Sequence, residues 1–150
     1  MRAVIQRVSQ ADVRIDEKMI SSINQGFMIL VAFNESDTDK DLDYCVRKIS
    51  NMRIFEDDDN KMNLSIKDVK GSILSVSQFT LFADTKKGNR PGFTRSGNPE
   101  RAEKMYNIFN DKLKSTGIPI QTGHFGADMK VSLVNDGPTT IIIDSQDKEF

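Results

Sequence analysis

The sequence of 150 residues contains one cysteine, one histidine and no tryptophan. Because Cys45 has no partner in the chain, a disulfide framework is excluded, and a reducing compartment is the simpler expectation. No cluster of Cys and His has the spacing of a zinc site, and the acidic run 56–59 lacks the glycine and glutamate of a calcium loop. We therefore expect no metal and no cofactor.

Long apolar runs are also missing. The longest one, Phe27–Phe33, is far shorter than the ~20 residues that a transmembrane helix requires. Polar and charged residues interrupt the first eight positions, which is not the pattern of a signal peptide. We therefore expect a cytoplasmic protein with no membrane partner.

The chain has no excess of basic residues, since 21 Lys and Arg stand against 22 Asp and Glu and the formal net charge is −1. Nucleic-acid binding usually leaves a basic footprint, because each phosphate contact releases counterions. The composition therefore disfavours a nucleic-acid partner. We expect no DNA partner, and any contact with RNA must come from a local patch.

The common catalytic signatures are absent as well. The sequence has no G-x-S-x-G motif for a Ser-His-Asp triad, no Walker A loop and no dinucleotide fingerprint. His124 is the only histidine, and we interpret it as a polar residue beside a strand. If the protein is an enzyme, it uses neither a metal nor an obvious histidine base.

The residues that are present predict one α/β domain spanning 1–150, because this length is typical of a single domain. Ala11, Val13 and Ile15 alternate with polar residues, which predicts a strand with one apolar face. The run Phe27–Phe33 does not alternate and predicts a strand buried on both faces. Further strands are expected at 72–82, 118–122, 130–134 and 139–144, with a turn at 57–61.

Two helices are predicted from their caps and apolar spacing. The first follows Asp37 or Thr38 as N-cap, and the second begins at Asn98 and Pro99 and ends at Gly117. Two helices this far apart in sequence are too few for a doubly wound parallel fold. The predicted architecture is a mostly antiparallel, barrel-like β-sheet with two packed helices.

The strand predicted at 72–82 becomes polar toward its end, in the segment Ser77-Gln78-Phe79-Thr80-Leu81. As a strand, this segment places Ser77 and Phe79 on one face and Gln78 and Thr80 on the other. Polar groups in so apolar a strand need hydrogen-bond partners or a ligand. A satisfied internal network and a ligand site are both open interpretations.

The loop 85–97 combines glycines with a concentration of positive charge, at Lys86, Lys87, Arg90 and Arg95. Such a loop can follow a phosphate chain, with Phe93 available to stack on a base. An ordinary solvated loop is the alternative.

The segment Asn135-Asp136-Gly137-Pro138-Thr139-Thr140 consists largely of turn residues and predicts a hairpin turn. Only ~5–6% of X-Pro bonds in folded proteins are cis, so this frequency alone favours a trans bond before Pro138.

Taken together and in order, these segments resemble the D-aminoacyl-tRNA deacylase family, formerly called D-Tyr-tRNA deacylases. The resemblance is carried by 77–81 (SQFTL) and 135–140 (NDGPTT), and extends to 2–8, 87–93 and 122–129. It covers nearly the whole chain. The family often has glycine where Asn60 stands, but asparagine tolerates the left-handed conformation that such a turn requires.

The resemblance implies a homodimer with each active site at the dimer interface. It implies a cis Gly137-Pro138 bond that reaches into the partner's site, directs carbonyl oxygens at the α-amino group of the substrate and is held by Arg7. It implies that Ser77, Gln78, Phe79 and Thr80 form the opposite, catalytic wall, with Met129 nearby. The implied substrate is the ester that joins an amino acid to the terminal ribose of tRNA, with Lys86, Lys87, Arg90 and Arg95 as candidate tRNA contacts.

Ester hydrolysis passes through an oxyanion, for which the N–H groups near Phe79 and Thr80 are candidate donors. We prefer water as the attacking group, with the ribose 2′-hydroxyl as a candidate to assist it, because no base accompanies Thr80 in the sequence. A main-chain wall would reject any L side chain but accept D-amino acids and glycine. Two rivals stay open, a non-catalytic RNA-binding module and a threonine-dependent esterase that acts on small D-amino substrates.

Overall fold

The computed structural model of the protein describes residues 1–149. The alternating N-terminal segment forms β1 (Arg2–Ile15), a turn at Asp16 and Glu17 leads into β2 (Lys18–Ile23), and the apolar run forms β3 (Gly26–Ala32). Six of the seven residues of β3 are buried. The expectation of a strand covered on both faces is therefore confirmed.

Two helices form where the caps predict them. Helix α1 (Asp39–Asn51) begins after Thr38, whose N–H donates to the Asp41 carboxylate at 2.8 Å. Helix α2 (Pro99–Lys114) begins after Asn98, whose side chain accepts hydrogen bonds from the next free N–H groups. Neither helix in the described residues is long and apolar enough to cross a membrane.

The remaining strands are shorter, except for the last. They are β4 (Phe55–Glu56), β5 (Met62–Leu64), β6 (Ser72–Ser77), β7 (Ile120–Thr122) and β8 (Lys130–Asp144). Strands β4 and β5 form a hairpin whose turn holds Asn60 at φ 58°, which is the left-handed conformation expected at this position.

The main sheet has six strands in the order β2-β1-β3-β6-β7, with β8 also paired to β1. Strand β1 pairs antiparallel with β2, β3 and β8, whereas the β3–β6 and β6–β7 pairs are parallel. The parallel half exists because α1 lies between β3 and β6 in the chain, and α2 between β6 and β7. The predicted class, a single nearly barrel-shaped sheet with two helices, is confirmed.

The core lies between the sheet and the two helices. Phe27 and Phe109 are among its largest fully buried side chains, and Cys45 is buried with them. Burial raises the pKa of the Cys45 thiol to about 12, so this cysteine is a packing residue and not a nucleophile at neutral pH.

The observed strands differ from the predicted ones in two parts of the chain. The strand expected at 72–82 ends at Ser77, and Phe79–Phe82 form a short 3-10 helix, so 77–80 do not alternate between two faces. The strands expected at 130–134 and 139–144 are the two arms of β8, and both pair with β1. The segment between them is therefore a bulge within one strand and not a hairpin turn.

Candidate functional site

A cavity of about 470 Å³ opens beside the end of β6. Ser77, Gln78 and Phe79 form one side of it, and Phe125–Met129 form another. The start of α2 and the residues before it close the third side, through Ser96, Gly97, Pro99 and Ala102. The cavity therefore brings together three of the four predicted catalytic residues and Met129.

The chain leaves the sheet at this cavity, where the pairing of β6 with β3 ends at Ser77 and Val31. The N–H of Gln78 donates to the Val31 carbonyl at 2.8 Å, which is the last backbone hydrogen bond from this segment to β3. The 3-10 helix Phe79–Phe82 follows, and the Ser96 hydroxyl donates to the Phe79 carbonyl at 3.1 Å. This turn exposes Phe79 to 54% at the cavity rim.

The turn leaves two main-chain donors free. Within residues 1–149, no group accepts a hydrogen bond from the N–H of Phe79 or of Thr80. The first N–H groups of any helical turn lack partners inside that turn. Two adjacent free donors at the rim of a cavity can bind a negatively charged oxygen.

The Thr80 side chain has a partner that cannot act as a base. The Gln78 amide donates to the Thr80 hydroxyl, and no other side chain of residues 1–149 hydrogen-bonds to that hydroxyl. An amide does not accept a proton at neutral pH. The geometry therefore gives Thr80 no group that would turn it into a nucleophile.

Met129 reaches the cavity because Gly123 lacks a side chain. A Cβ atom at position 123 would lie 2.5 Å from the Met129 sulfur. His124, the only histidine, lines a separate depression beside Tyr106 and Asn110 and not this cavity. Within residues 1–149, no three His, Cys, Asp or Glu side chains are grouped to hold a metal ion.

The segment 136–139 stands apart from this cavity. It bulges out of β8, since Asn135 pairs with Val8 and Thr140 with Gln6, and Gly137 and Pro138 are exposed. The bond between them is cis, as the resemblance implies. None of 136–139 lines the cavity of its own protomer.

The buried side chain of Arg7 holds the bulge in place. Only 5% of the residue is exposed. The guanidinium donates to the Asp136 carbonyl at 3.1 Å and to the Ile54 carbonyl at 2.5 Å. The Asn135 amide adds bonds to the Arg7 and Thr139 carbonyls at 3.0 and 2.9 Å. The predicted contact between Arg7 and this segment is therefore present.

The basic loop adjoins the rim of the cavity. Its base is closed by paired bonds between Asp84 and Gly92, and Lys86, Lys87, Arg90 and Arg95 are all exposed. Phe93 packs edge-on against Phe79 with ring centroids 5.2 Å apart. The loop and the cavity therefore share an exposed aromatic pair.

Arg2 is a residue that sequence reasoning missed. Its guanidinium donates to the Leu81 carbonyl at 2.9 Å and to the Asp144 carboxylate at 2.8 Å, and it lies 4.9 Å from the Phe82 ring centroid. Burial acts to raise the pKa of Asp144. The hydrogen bonds from Arg2 and from the Gln146 N–H outweigh this effect and hold the pKa below its ordinary value. Nothing in the local sequence marks Arg2, because its partners lie about 80 and 140 residues away.

Comparison with known proteins gives a consistent result. Residues 4–144 match the family model described as D-Tyr-tRNA(Tyr) deacylase. Two relatives named D-aminoacyl-tRNA deacylase, from Limosilactobacillus reuteri strain DSM 20016 and Limosilactobacillus reuteri subsp. reuteri strain JCM 1112, are each 57% identical over 142 residues. The match covers 95% of this chain and 98% of each relative.

Two solved structures are similar over nearly their whole length. One, described as c-Myc DNA Unwinding Element Binding Protein, has a TM-score of 0.91 at 44% identity. The aligned region covers 96% of this chain and 98% of that protein's chain. The other, from a structural analysis of a probable eukaryotic D-amino acid tRNA deacylase, has a TM-score of 0.81 at 18% identity. It covers 95% of this chain and 97% of its own, and this likeness concerns the fold alone.

Replacing Arg7 by lysine should loosen the 136–139 bulge, because an ammonium cannot span the carbonyls of Asp136 and Ile54 as the guanidinium does. We expect faster amide hydrogen exchange at 135–139 and a loss of about 1–3 kcal/mol in the free energy of unfolding. Hydrogen-exchange mass spectrometry and urea titration measure both. Arg14→Lys, at an exposed position of the same strand, is the control. Unchanged exchange in the Arg7 variant would contradict the assigned role.

Proposed function

The chain belongs to the D-Tyr-tRNA(Tyr) deacylase family, and from this premise we propose that it cleaves the ester between a D-amino acid and the 3′-terminal ribose of tRNA. Water adds to the ester carbonyl, and free D-amino acid and tRNA leave. The match over 4–144 and the 57% identity to named D-aminoacyl-tRNA deacylases carry this conclusion. The protein is thus a carboxylic ester hydrolase, for which we propose the cytoplasm as location, since aminoacyl-tRNA is used there.

The free N–H groups of Phe79 and Thr80 are the proposed oxyanion donors. Attack on the ester carbonyl places a negative charge on its oxygen, and fixed donors at that position stabilise the transition state. Loss of one such donor typically costs ~2.7–4 kcal/mol. Both groups belong to the main chain, so side-chain substitution at 79 or 80 leaves them in place.

Water is the proposed attacking group. The Thr80 hydroxyl is bound by the Gln78 amide and has no base beside it in residues 1–149. An aminoacyl ester is already activated, so an oriented water and the oxyanion donors suffice. The ribose 2′-hydroxyl of the substrate lies next to the ester and can assist.

A second copy of the chain is proposed to complete the site. In one protomer, Gly137 and Pro138 are exposed and lie outside the cavity, although Arg7 fixes their position. The arm of the same strand that precedes this segment exposes Val134 to 48%. A homodimer that buries this face would bring the Gly137-Pro138 segment of one protomer to the cavity of its partner.

The selection between mirror images then follows from sterics. The D and L isomers have the same groups and differ only in direction, and each tenfold preference needs ~1.4 kcal/mol. Carbonyl oxygens of the segment would bind the α-amino group and fix the amino acid. The main chain would then occupy the volume of any L side chain, whatever its chemistry.

The basic loop is the proposed first contact with tRNA. Lys86, Lys87, Arg90 and Arg95 are exposed beside the cavity rim. The Phe79–Phe93 pair offers aromatic surface on which the terminal base can stack, a contact worth ~1–3 kcal/mol per base in other proteins.

We expect the protein to cleave D-aminoacyl-tRNA and glycyl-tRNA and to leave L-aminoacyl-tRNA intact, because glycine has no side chain for the wall to exclude. Ester loss from each of the three tRNAs measures this directly. Cleavage of the D isomer with glycyl-tRNA untouched would exclude steric rejection as the whole mechanism. Salt-sensitive RNA binding without any cleavage would instead favour the non-catalytic RNA-binding module.

Thr80→Ala should keep deacylation within about tenfold of the wild-type rate, because a positioned side chain that is not the nucleophile contributes less than the oxyanion donors. Single-turnover cleavage of D-aminoacyl-tRNA measures the rate, and Thr80→Ser is the matched control that retains the hydroxyl. Abolished activity in Thr80→Ala with a covalent acyl-enzyme trapped in Thr80→Ser would instead establish Thr80 as nucleophile.

A further inference from the structure

A second basic surface lies between α1 and the end of β8, at the edge of the core. Three cations surround the ring of Tyr44, two from α1 and one from the segment that follows β8. The Arg47 guanidinium lies 5.7 Å, the Lys48 Nζ 5.8 Å and the Lys148 Nζ 4.9 Å from the ring centroid. They line a groove of about 520 Å³ between α1 and the last residues of β8. We call it the Tyr44 groove.

The part of the chain that the structure describes does not neutralise the charges of this groove. Among residues 1–149, no carboxylate forms an ion pair with Arg47, Lys48 or Lys148. The one carboxylate that lines the groove is Asp144, and Arg2 already pairs with it. The groove is therefore a site of net positive charge in a chain whose formal net charge is −1, and an anionic partner would complement it.

The Tyr44 groove connects with the candidate active site. A middle depression of about 420 Å³ shares Asp144 with the groove and is lined by Arg2, Thr94 and Arg95. The next two residues of the chain, Ser96 and Gly97, line the cavity beside β6. Three adjoining depressions therefore run from the cavity, past two arginines, to the Tyr44 groove.

From this arrangement we propose that the Tyr44 groove binds the phosphodiester backbone of the tRNA substrate, beyond the terminal nucleotide held at the cavity. Cations beside a half-buried aromatic ring can bind both parts of a nucleotide, since phosphates pair with the charges and a base stacks on the accessible part of the ring. This inference rests on the proposed function, because it assumes that the ester in the cavity is attached to tRNA.

Acidic residues limit the path through the middle depression. Glu35 lines it, but its Oε1 accepts the N–H of Asn98. Asp147 also lines it and forms no ion pair within residues 1–149. A backbone phosphate that passes this point is repelled by Asp147, so removal of that charge should strengthen tRNA binding.

The test is the triple variant Arg47→Gln, Lys48→Gln, Lys148→Gln, measured with uncharged tRNA and with two D-aminoacyl substrates. One substrate carries the ester on full-length tRNA, and the other carries it on a terminal trinucleotide too short to reach the groove. We expect tRNA binding to weaken about tenfold at low salt, and the slope of log Kd against log salt concentration to fall by about 2–3. Cleavage of the trinucleotide ester should not change.

Two controls isolate the groove. Lys67→Gln, Lys70→Gln, Lys104→Gln removes three exposed lysines elsewhere, and its tRNA affinity should stay within about twofold of wild type. Asp147→Asn should bind tRNA about two- to threefold more tightly.

The proposal is overturned if the triple variant and the lysine control bind tRNA alike, or if the triple variant loses both substrates equally. It is also overturned if the triple variant changes its oligomeric state, since the groove would then be a protein interface. Failure of wild type to cleave either D-aminoacyl substrate would refute the proposed function, and the binding arm with uncharged tRNA would still decide whether the groove holds RNA.

Discussion

The proposed site depends on how the buried Arg7 guanidinium fixes an exposed piece of main chain. Arg7 donates to the carbonyls of Asp136 and Ile54, so the bulge in β8 is tied both to β1 and to the hairpin region. If this segment separates mirror images as proposed, it has to be rigid, because a shift of about 1 Å would admit the wrong isomer. An exposed bulge without this tie would be an ordinary mobile turn.

The other wall of the site is likewise formed by main-chain groups that side chains hold in place. The proposed oxyanion donors are main-chain groups, and they are free because the chain turns from β6 into a 3-10 helix. Arg2 and Ser96 anchor that turn through the carbonyls of Leu81 and Phe79. In the proposed mechanism, rejection and catalysis both rest on backbone geometry, which would explain how a chain with no metal cluster among residues 1–149 hydrolyses an ester.

Local patterns predicted much of the fold. Thr38 and Asn98 mark the helix starts because capping is a short-range interaction, and Phe27–Phe33 predicts a buried strand because burial on both faces removes alternation. The parallel pairing of β6 and the 3-10 helix at Phe79 were not predictable, since they follow from tertiary contacts with Val31 and Arg2. The site residues at 77–80 and 137–138 came from the family resemblance, because residue type alone favoured a hydrogen-bonded strand and a plain turn.

The most direct test of the shared site is complementation between two inactive variants. Ala102→Trp fills the cavity, and Gly137→Val displaces the bulge, because a Cβ at 137 would lie 2.6 Å from the Thr139 hydroxyl. If one protomer supplies the cavity and its partner the segment, each mixed dimer contains one intact site, and a remixed sample should recover about a quarter of wild-type deacylation. A remixed sample that contains mixed dimers but is no more active than either variant alone would contradict the account.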